Sequence, residues 1–185
     1  MGLAAHPQAS LWLFVVAFLE SSFFPIPPHI MLIPMVIADR SKAWWYAGVV
    51  TVGSVLGGIA GYLIGYLLFE QIGQPVLGFY GMLEKFEAFA ANYNDYGAWI
   101  VFTAGVTPFP YKVITIASGA TQLNFLVFLV ASIAARTLVF FVIAGLLYAF
   151  GQPIREFIEK RLGLMFTIFL VLLFGGFIAI KYLVH

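Results

Sequence analysis

The sequence predicts an all-α integral membrane protein that is an inverted repeat of two units, each a proline-broken re-entrant hairpin followed by a transmembrane helix, plus a C-terminal transmembrane helix. Three observations predict this fold: an apolar composition, two matching proline breaks, and long apolar stretches without charge. Of the 185 residues, 63% are hydrophobic and 9% are charged, whereas soluble domains carry about 25% charged residues. So much apolar surface indicates that the bilayer is the solvent.

The composition also limits the chemistry that we expect. The chain has no cysteine, and its three histidines are scattered, so we expect no thiolate chemistry and no metal site. With a net charge of +1 and no basic stripe, no nucleic-acid partner is expected. No paired-His, Asp-rich or Ser-His arrangement suggests an enzyme, and no cofactor is predicted. The apolar N-terminal run meets Glu20 without a small-residue cleavage site, so we interpret it as a membrane segment and not a signal peptide.

A single membrane domain is predicted over residues 1–185, and its first repeat covers residues 9–76. Residues 9–38 are apolar but are broken by Pro25, Pro27 and Pro28. The arms on either side of this break would extend about 21 and 15 Å as helices, so neither crosses a hydrocarbon core of about 30 Å. Residues 43–69 carry no charge and are long enough to span.

The first long span contains one glycine every four residues, at Gly53, Gly57, Gly61 and Gly65. Such a stripe lets another helix backbone approach closely. Packing within the chain is the favoured interpretation, and a homo-oligomer formed through the same stripe is the alternative.

Residues 70–96 connect the two repeats and hold four of the eight acidic residues. Apolar side chains recur there at steps of three and four, at Phe79, Met82, Phe86, Phe89 and Tyr93. This spacing predicts an amphipathic helix over about residues 78–95 that lies in the membrane interface. A helix packed on its own protein would show the same pattern.

The second repeat is predicted over residues 97–154. Its apolar stretch is broken at TPFPYK (107–112), and PFPYKVITI (108–116) matches PIPPHIMLI (25–33) at an offset of 83 residues. The match pairs prolines with prolines and His29 with Lys112. Both units also end alike, in GQPV at 73–76 and GQPI at 151–154. Two matches in the same order indicate an internal repeat with breaks at Pro25, Pro27, Pro28, Pro108 and Pro110.

The distribution of basic residues bears on topology. Two hairpins that enter the membrane and return to the face from which they started would place residues 39–42 and 152–163 on one face of the membrane. The last transmembrane span is predicted at 164–183. That face holds Arg40, Lys42, Arg155, Lys160 and Arg161. Two kinked full spans would divide the basic groups almost evenly, so the positive-inside rule favours the hairpins. We therefore expect residues 39–42 and 152–163 to be cytoplasmic in a bacterial inner membrane.

Four ionisable residues lie in or beside the apolar segments: Glu20, His29, Lys112 and Arg136. Each charge at mid-bilayer costs about 2.5–3.5 kcal/mol on insertion scales, and such residues favour a functional hypothesis. His29 and Lys112 each follow a proline break, where a helix N-terminus offers free N–H donors and a positive dipole end. We predict an anion site there, with Arg136 as a further contact or as the partner of Glu20.

Other interpretations of these residues remain open. Glu20 suits a proton carrier, because burial raises a carboxyl pKa, but it could equally be a neutral acid bonded to a freed carbonyl. His29 could be a neutral ring that caps the turn, and Lys112 could extend to the interface.

The stretches ESSFFPIPPHIMLIPM (20–35) and GVTPFPYKVITIASGA (105–120) resemble the DedA family, also called the VTT or SNARE-associated Golgi family, and its YqaA-like branch. The resemblance implies two opposed re-entrant hairpins and proton-motive-force-dependent lipid translocation: flipping of undecaprenyl phosphate or a phospholipid in bacteria, scrambling in eukaryotic relatives. Glu20 matches the family's acid before the first break. His29 stands where the family usually has an acid, and Gly105 and Tyr111 replace its two arginines.

We therefore predict a lipid flippase or scramblase whose partners are membrane lipids. The headgroup would be bound at the opposed hairpin tips by His29, Lys112 and Arg136, with Glu20 as the proton-coupling residue. The alternative is a proton-coupled transporter of a small solute or ion, in which Glu20 and His29 form a proton relay. A membrane enzyme and a structural assembly factor are weaker hypotheses.

Overall fold

The computed structural model describes residues 8–23, 27–107 and 109–151, and within these ranges every regular element is a helix. The predicted span at 164–183, the whole segment 152–163 that was predicted to be cytoplasmic, and the break residues Pro25 and Pro108 lie outside the described residues. The all-helical prediction is confirmed for the described part of the chain.

Two long helices and four short apolar ones make up the body of the protein. The first unit contains α1 (Ala9–Ser22), α2 (His29–Ala38) and α3 (Ala43–Leu68). A π-helical turn (Phe69–Gly73) and two α-helices, α4 (Gln74–Phe79) and α5 (Leu83–Asp95), connect the units. The second unit contains α6 (Gly97–Val106), α7 (Tyr111–Ala120) and α8 (Phe125–Phe150). Since α3 and α8 have 26 residues each, both extend about 39 Å and are long and apolar enough to cross a membrane.

The sequence explains where several helices begin and end. Pro28 directly precedes α2 and Pro110 directly precedes α7, positions where the missing proline N–H costs no helical hydrogen bond. The side chain of Asn124 caps α8 by accepting hydrogen bonds from the N–H groups of Leu126 and Val127, at 3.0 and 3.2 Å. At its other end α8 stops at Gly151, whose φ of 63° is left-handed.

Helices α1 and α2 form the first helix pair. Helix α1 begins, and helix α2 ends, on the side of the protein where α3 begins. At that end the Trp45 side chain donates to Ser10 at 3.4 Å. Further along, α1 runs parallel to α3, and Ser21 reaches Ser54 near the middle of α3. Helix α2 then starts with the His29 ring 5.6 Å from the ring of Phe140 and returns towards α3's first residue.

The second pair, α6 and α7, begins and ends at the opposite end. Gly97 opens α6 against Leu123, which stands two residues before α8, and Gly105 lies against Ala135 further along α8. Helix α7 starts beside Gly58 in the middle of α3 and finishes with Gly119 against Tyr62. The described residues on either side of each proline break therefore lie near the middle of the long helices, and the two helix pairs reach this level from opposite ends of the protein.

The glycine stripe of α3 packs against helices of the same chain. A methyl group at Gly57 would overlap the carbonyl group of Phe18 in α1, and one at Gly65 would overlap that of Ile116 in α7. The other two, Gly53 and Gly61, lie equally close to α1 or α7. The packing interpretation is confirmed. A homo-oligomer stays a prediction, but the surface predicted for it is already covered by this chain.

The amphipathic helix predicted over about 78–95 corresponds to α5, which begins later, at Leu83. Gly81, with a φ of 63°, separates α4 from α5. Of the predicted apolar face, Tyr93 is buried and Phe86 stacks on Phe69 with ring centroids 4.4 Å apart. Phe79 is 85% exposed. Part of this face therefore packs on the protein, and contact of the rest with the membrane interface stays a prediction.

Polar groups lie in a layer between two apolar clusters. One cluster gathers near the start of α3 around Leu13, Val36 and Phe140, and the other gathers near its end around Tyr62 and Phe128. The buried polar side chains between or beside them are Ser21, Ser22, Thr51, Ser54, Thr115, Ser118, Thr121, Ser132 and Arg136. Outward positions of α8 are apolar and exposed, including Leu126, Val130, Ile133, Leu138 and Val142. A lipid environment suits this arrangement better than water.

Candidate functional site

The polar layer is organised around Arg136, the twelfth residue of α8, which is 6% exposed. Its guanidinium donates from Nη2 to Glu20 Oε2 at 3.0 Å and from Nε to Ser54 Oγ at 2.6 Å. A buried charge is tolerated only when it is paired and hydrogen-bonded. The contacts thus join the end of α1 to the middle of α3 and of α8.

Two serines complete the network around the ion pair. Ser21 Oγ lies 3.0 Å from Glu20 Oε2, to which it donates, and 2.7 Å from Ser54 Oγ. The next serine, Ser22, donates to the carbonyl oxygen of Gly57 at 3.0 Å and so ties α1 to α3. The Glu20 side chain is 18% exposed, against 7% for Arg136. The carboxylate is therefore the more accessible member of the pair.

Aromatic rings enclose the guanidinium. Its central carbon lies 4.4 Å from the ring centroid of Tyr111 and 4.9 Å from that of Phe140. Both distances are within the range of cation–π attraction, which stabilises a cation away from water. His29 contacts the other ring, since it lies beside Phe140. The first residue of α2 and the first residue of α7 therefore both belong to this site.

The predicted site residues are brought together only in part. Arg136 pairs with Glu20, which was one of the two interpretations of Arg136. His29 and Lys112 are both partly buried, and in the described ranges no hydrogen bond or ion pair joins their side chains. Lys112 is the second residue of α7, about 100° around the helix from Tyr111. The roles in headgroup binding and proton coupling stay predictions.

The helix starts give a second way to align the two segments. Helix α2 begins at residue 29 and α7 at residue 111, so the helices are offset by 82 residues and not 83. By helix position Pro28 corresponds to Pro110, and His29 corresponds to Tyr111. Lys112, the predicted counterpart of His29, lies one position after Tyr111. The reason is that one extra residue, Pro28, stands between Pro27 and the start of α2, whereas α7 starts directly after Pro110, which the sequence match pairs with Pro27.

Sequence reasoning missed Tyr111 and Ser54. Tyr111 was noted only as a departure from an arginine, and Ser54 stands among glycines and resembles a small packing residue. The signal that finds Ser54 is the register of the two long helices, which the structure supplies: α3 begins at 43 and α8 at 125. The same offset of 82 makes Ser54 the counterpart of Arg136, and these two side chains are hydrogen-bonded.

The helices and the charged network together define the class: an all-helical membrane protein with a buried ion pair between two broken helix pairs. The chain belongs to the VTT domain family, or DedA family, whose pattern matches residues 24–149. It is 32% identical over 162 residues to a Haemophilus influenzae protein described as uncharacterized, covering 88% of this chain and 84% of that relative. It is 37% identical over 163 residues to a Histophilus somni protein described as an uncharacterized HI0703 homolog, covering 86% and 85%. No solved structure matches. Membership of the YqaA-like branch stays a prediction.

Proposed function

We propose that the protein translocates a lipid with an anionic phosphate headgroup, undecaprenyl phosphate or a phospholipid, across the bacterial inner membrane. The family supports a membrane transporter or flippase and provides no evidence of an enzyme. The buried ion pair between Glu20 and Arg136 is the observation that carries the proposal. It puts a cation that can bind phosphate in the middle of a helical membrane protein.

The proposal includes the topology. In it, the α1–α2 and α6–α7 pairs are re-entrant hairpins of an inverted repeat, which enter from opposite faces and stop at mid-membrane. Supporting this, α2, α6 and α7 have 10 residues each, about 15 Å, and each pair returns to the end where it started. Residues 39–42 and 152–163 are then cytoplasmic by the positive-inside rule.

The proposed mechanism is an exchange of anions on Arg136. A lipid phosphate can replace the Glu20 carboxylate, because both accept charge-assisted hydrogen bonds from a guanidinium. The cation then has a partner before and after the exchange, which avoids the cost of an unpaired buried charge. Protonation of Glu20 would release Arg136 to the phosphate, so a proton gradient would drive the cycle. His29 and Lys112 are proposed to bind the headgroup as it approaches.

Translocation in reconstituted vesicles tests this proposal. The full chain is placed in vesicles of phosphatidylethanolamine and phosphatidylglycerol, and transfer of fluorescent lipids between leaflets is followed by dithionite quenching. We expect Arg136→Gln and Lys112→Ala to lower the rate at least about tenfold, as the loss of a charged hydrogen bond predicts. Glu20→Gln should abolish the dependence on a pH gradient. The exposed Lys42→Gln serves as the control.

Two results would count against lipid translocation. Wild-type protein that transfers lipid no faster than empty vesicles would refute it. Unchanged rates for both Lys112→Ala and Glu20→Gln would show that the site is wrong. Proton-dependent uptake of a small solute by the same vesicles, without lipid transfer, would favour the alternative transporter in which Glu20 and His29 relay protons.

A further inference from the structure

Two buried hydroxyl groups beside Arg136 lack a well-formed hydrogen bond. Within the described part of the chain, neither Tyr111 Oη nor Ser132 Oγ has a partner in good hydrogen-bond geometry, although the two hydroxyls lie near enough to each other to interact. Tyr111 is 1% exposed and Ser132 is fully buried. Leaving a buried donor unpaired costs about 1–3 kcal/mol. Phenylalanine at 111 would give Arg136 a similar ring without this cost, so the hydroxyl needs another explanation.

Both hydroxyl-bearing residues adjoin the same guanidinium. Ser132 precedes Arg136 by four residues on α8 and therefore lies on the same helix face. The Tyr111 ring lies 4.4 Å from the guanidinium carbon. An arginine has five N–H donors on three nitrogens, and here Nε and Nη2 bond to Ser54 and Glu20. Nη1 donates to no residue in the described ranges, so a third donor group is available.

We propose that Tyr111 Oη, Ser132 Oγ and Arg136 Nη1 form a subsite for one phosphate group. Three donors around a positive charge exclude a cation and fit the acceptor oxygens of a phosphate. The chemistry is shared by a lipid phosphate and by free phosphate. This inference deepens the proposed function and rests on it for the transport role, while binding can be measured alone.

The subsite is closed in the structure. Since both hydroxyl oxygens are covered, phosphate can enter only when Tyr111 separates from α8. Closure leaves both hydroxyls without a well-formed hydrogen bond, and phosphate oxygens would accept one from each. Phosphate binding therefore offsets part of the free-energy cost of burying the two hydroxyls. Loss of either hydroxyl should weaken phosphate binding without lowering the stability of the ligand-free protein.

A matched tyrosine provides the control. Tyr93 is also buried, but its hydroxyl lies 2.9 Å from Ser118 Oγ and is paired within the protein. Removing that hydroxyl leaves Ser118 short of a partner and should lower thermal stability. The two substitutions, Tyr111→Phe and Tyr93→Phe, remove the same atom, so they separate a ligand-binding hydroxyl from a structural one.

The experiment measures thermal unfolding of the full chain in detergent by tryptophan fluorescence. The probes are inorganic phosphate, with chloride at matched ionic strength, and phosphatidylglycerol in mixed micelles, with phosphatidylcholine as the neutral comparison. We expect at least one phosphate-bearing probe to raise the unfolding temperature. Tyr111→Phe and Ser132→Ala should each weaken its apparent affinity about tenfold without lowering the unfolding temperature of the ligand-free protein. Tyr93→Phe should do the reverse.

The outcomes separate the possible failures. If neither probe stabilises the wild type, or if the Tyr111→Phe/Ser132→Ala double variant binds as the wild type does, the subsite is refuted. Ligand-free destabilisation by Tyr111→Phe as large as that by Tyr93→Phe would also refute it. Stabilisation by phosphatidylglycerol alone identifies a lipid headgroup, and stabilisation by free phosphate identifies a phosphate-ion site. Specific binding by a protein that transfers no lipid would keep the subsite and refute the translocation proposal.

Discussion

The two long helices are equal in length but differ in position. In α3, 13 of 26 residues are buried, many of them glycines that admit α1 and α7. In α8 only 8 are buried, and the outward face carries large apolar side chains. The two long helices thus have different neighbours: α3 is the central packing helix, whereas α8 faces the surroundings and contributes the cation.

The difference is sharpest at the twelfth residue of each helix. Ser54 and Arg136 are equivalent by position and contact each other. An arginine at both positions would bury two cations beside one carboxylate, Glu20, at a high electrostatic cost. A serine at both would leave Glu20 without its ion-pair partner. The ion pair therefore forms where the two long helices carry different residues at the same position.

The largest effect is expected from removing this asymmetry at Arg136. Arg136→Ala leaves Glu20 without its ion-pair partner and removes the contact to Ser54, so we expect a loss of about 3–5 kcal/mol in the free energy of unfolding. Denaturant titration of the purified protein in mixed micelles measures this loss. A change below about 1 kcal/mol, the size of an exposed pair, would show that the pair does not stabilise the fold.

An exchange of the two residues tests their equivalence directly. The double variant Ser54→Arg/Arg136→Ser puts the guanidinium on α3, still next to Glu20. We expect it to be more stable than either single variant, since each single change alters the number of buried cations. A double variant whose loss equals the sum of the single losses would show that the positions are not interchangeable.

Much of the fold could be predicted because its signals are local. The proline breaks, the charge-free stretches and the glycine stripe each act on their own segment. The site could be predicted only in part. Glu20 and Arg136 were identified as charges in apolar stretches, but their pairing spans 116 residues of sequence. The choice of Lys112 over Tyr111 followed from a one-residue difference in register, which rotates a side chain by about 100° on a helix.

A medium effect is expected where α3 packs most closely. The added methyl group in Gly57→Ala would overlap the backbone of α1 at Phe18, and overpacking of this kind costs about 1–3 kcal/mol. Gly48→Ala is the matched control on the same helix, because its methyl group would meet no atom within 4 Å. We expect it to be neutral or stabilising, as alanine favours helix over glycine. Equal unfolding free energies for the two variants would contradict the close packing of α1 on α3.

The smallest effect is expected at the starts of the long helices. Asn124 caps α8 through its side chain, whereas its counterpart Lys42 makes no capping bond to α3. Loss of such a cap costs about 1 kcal/mol, so Asn124→Ala should lower the free energy of unfolding by that amount, and Asn124→Asp should retain most of it. Lys42→Ala should change it little, because α3 is held along its length by α1 and α7. The stability of the peripheral α8 should depend more on the cap at its own N-terminus. A larger loss of stability from Lys42→Ala than from Asn124→Ala would contradict this difference between the two helices.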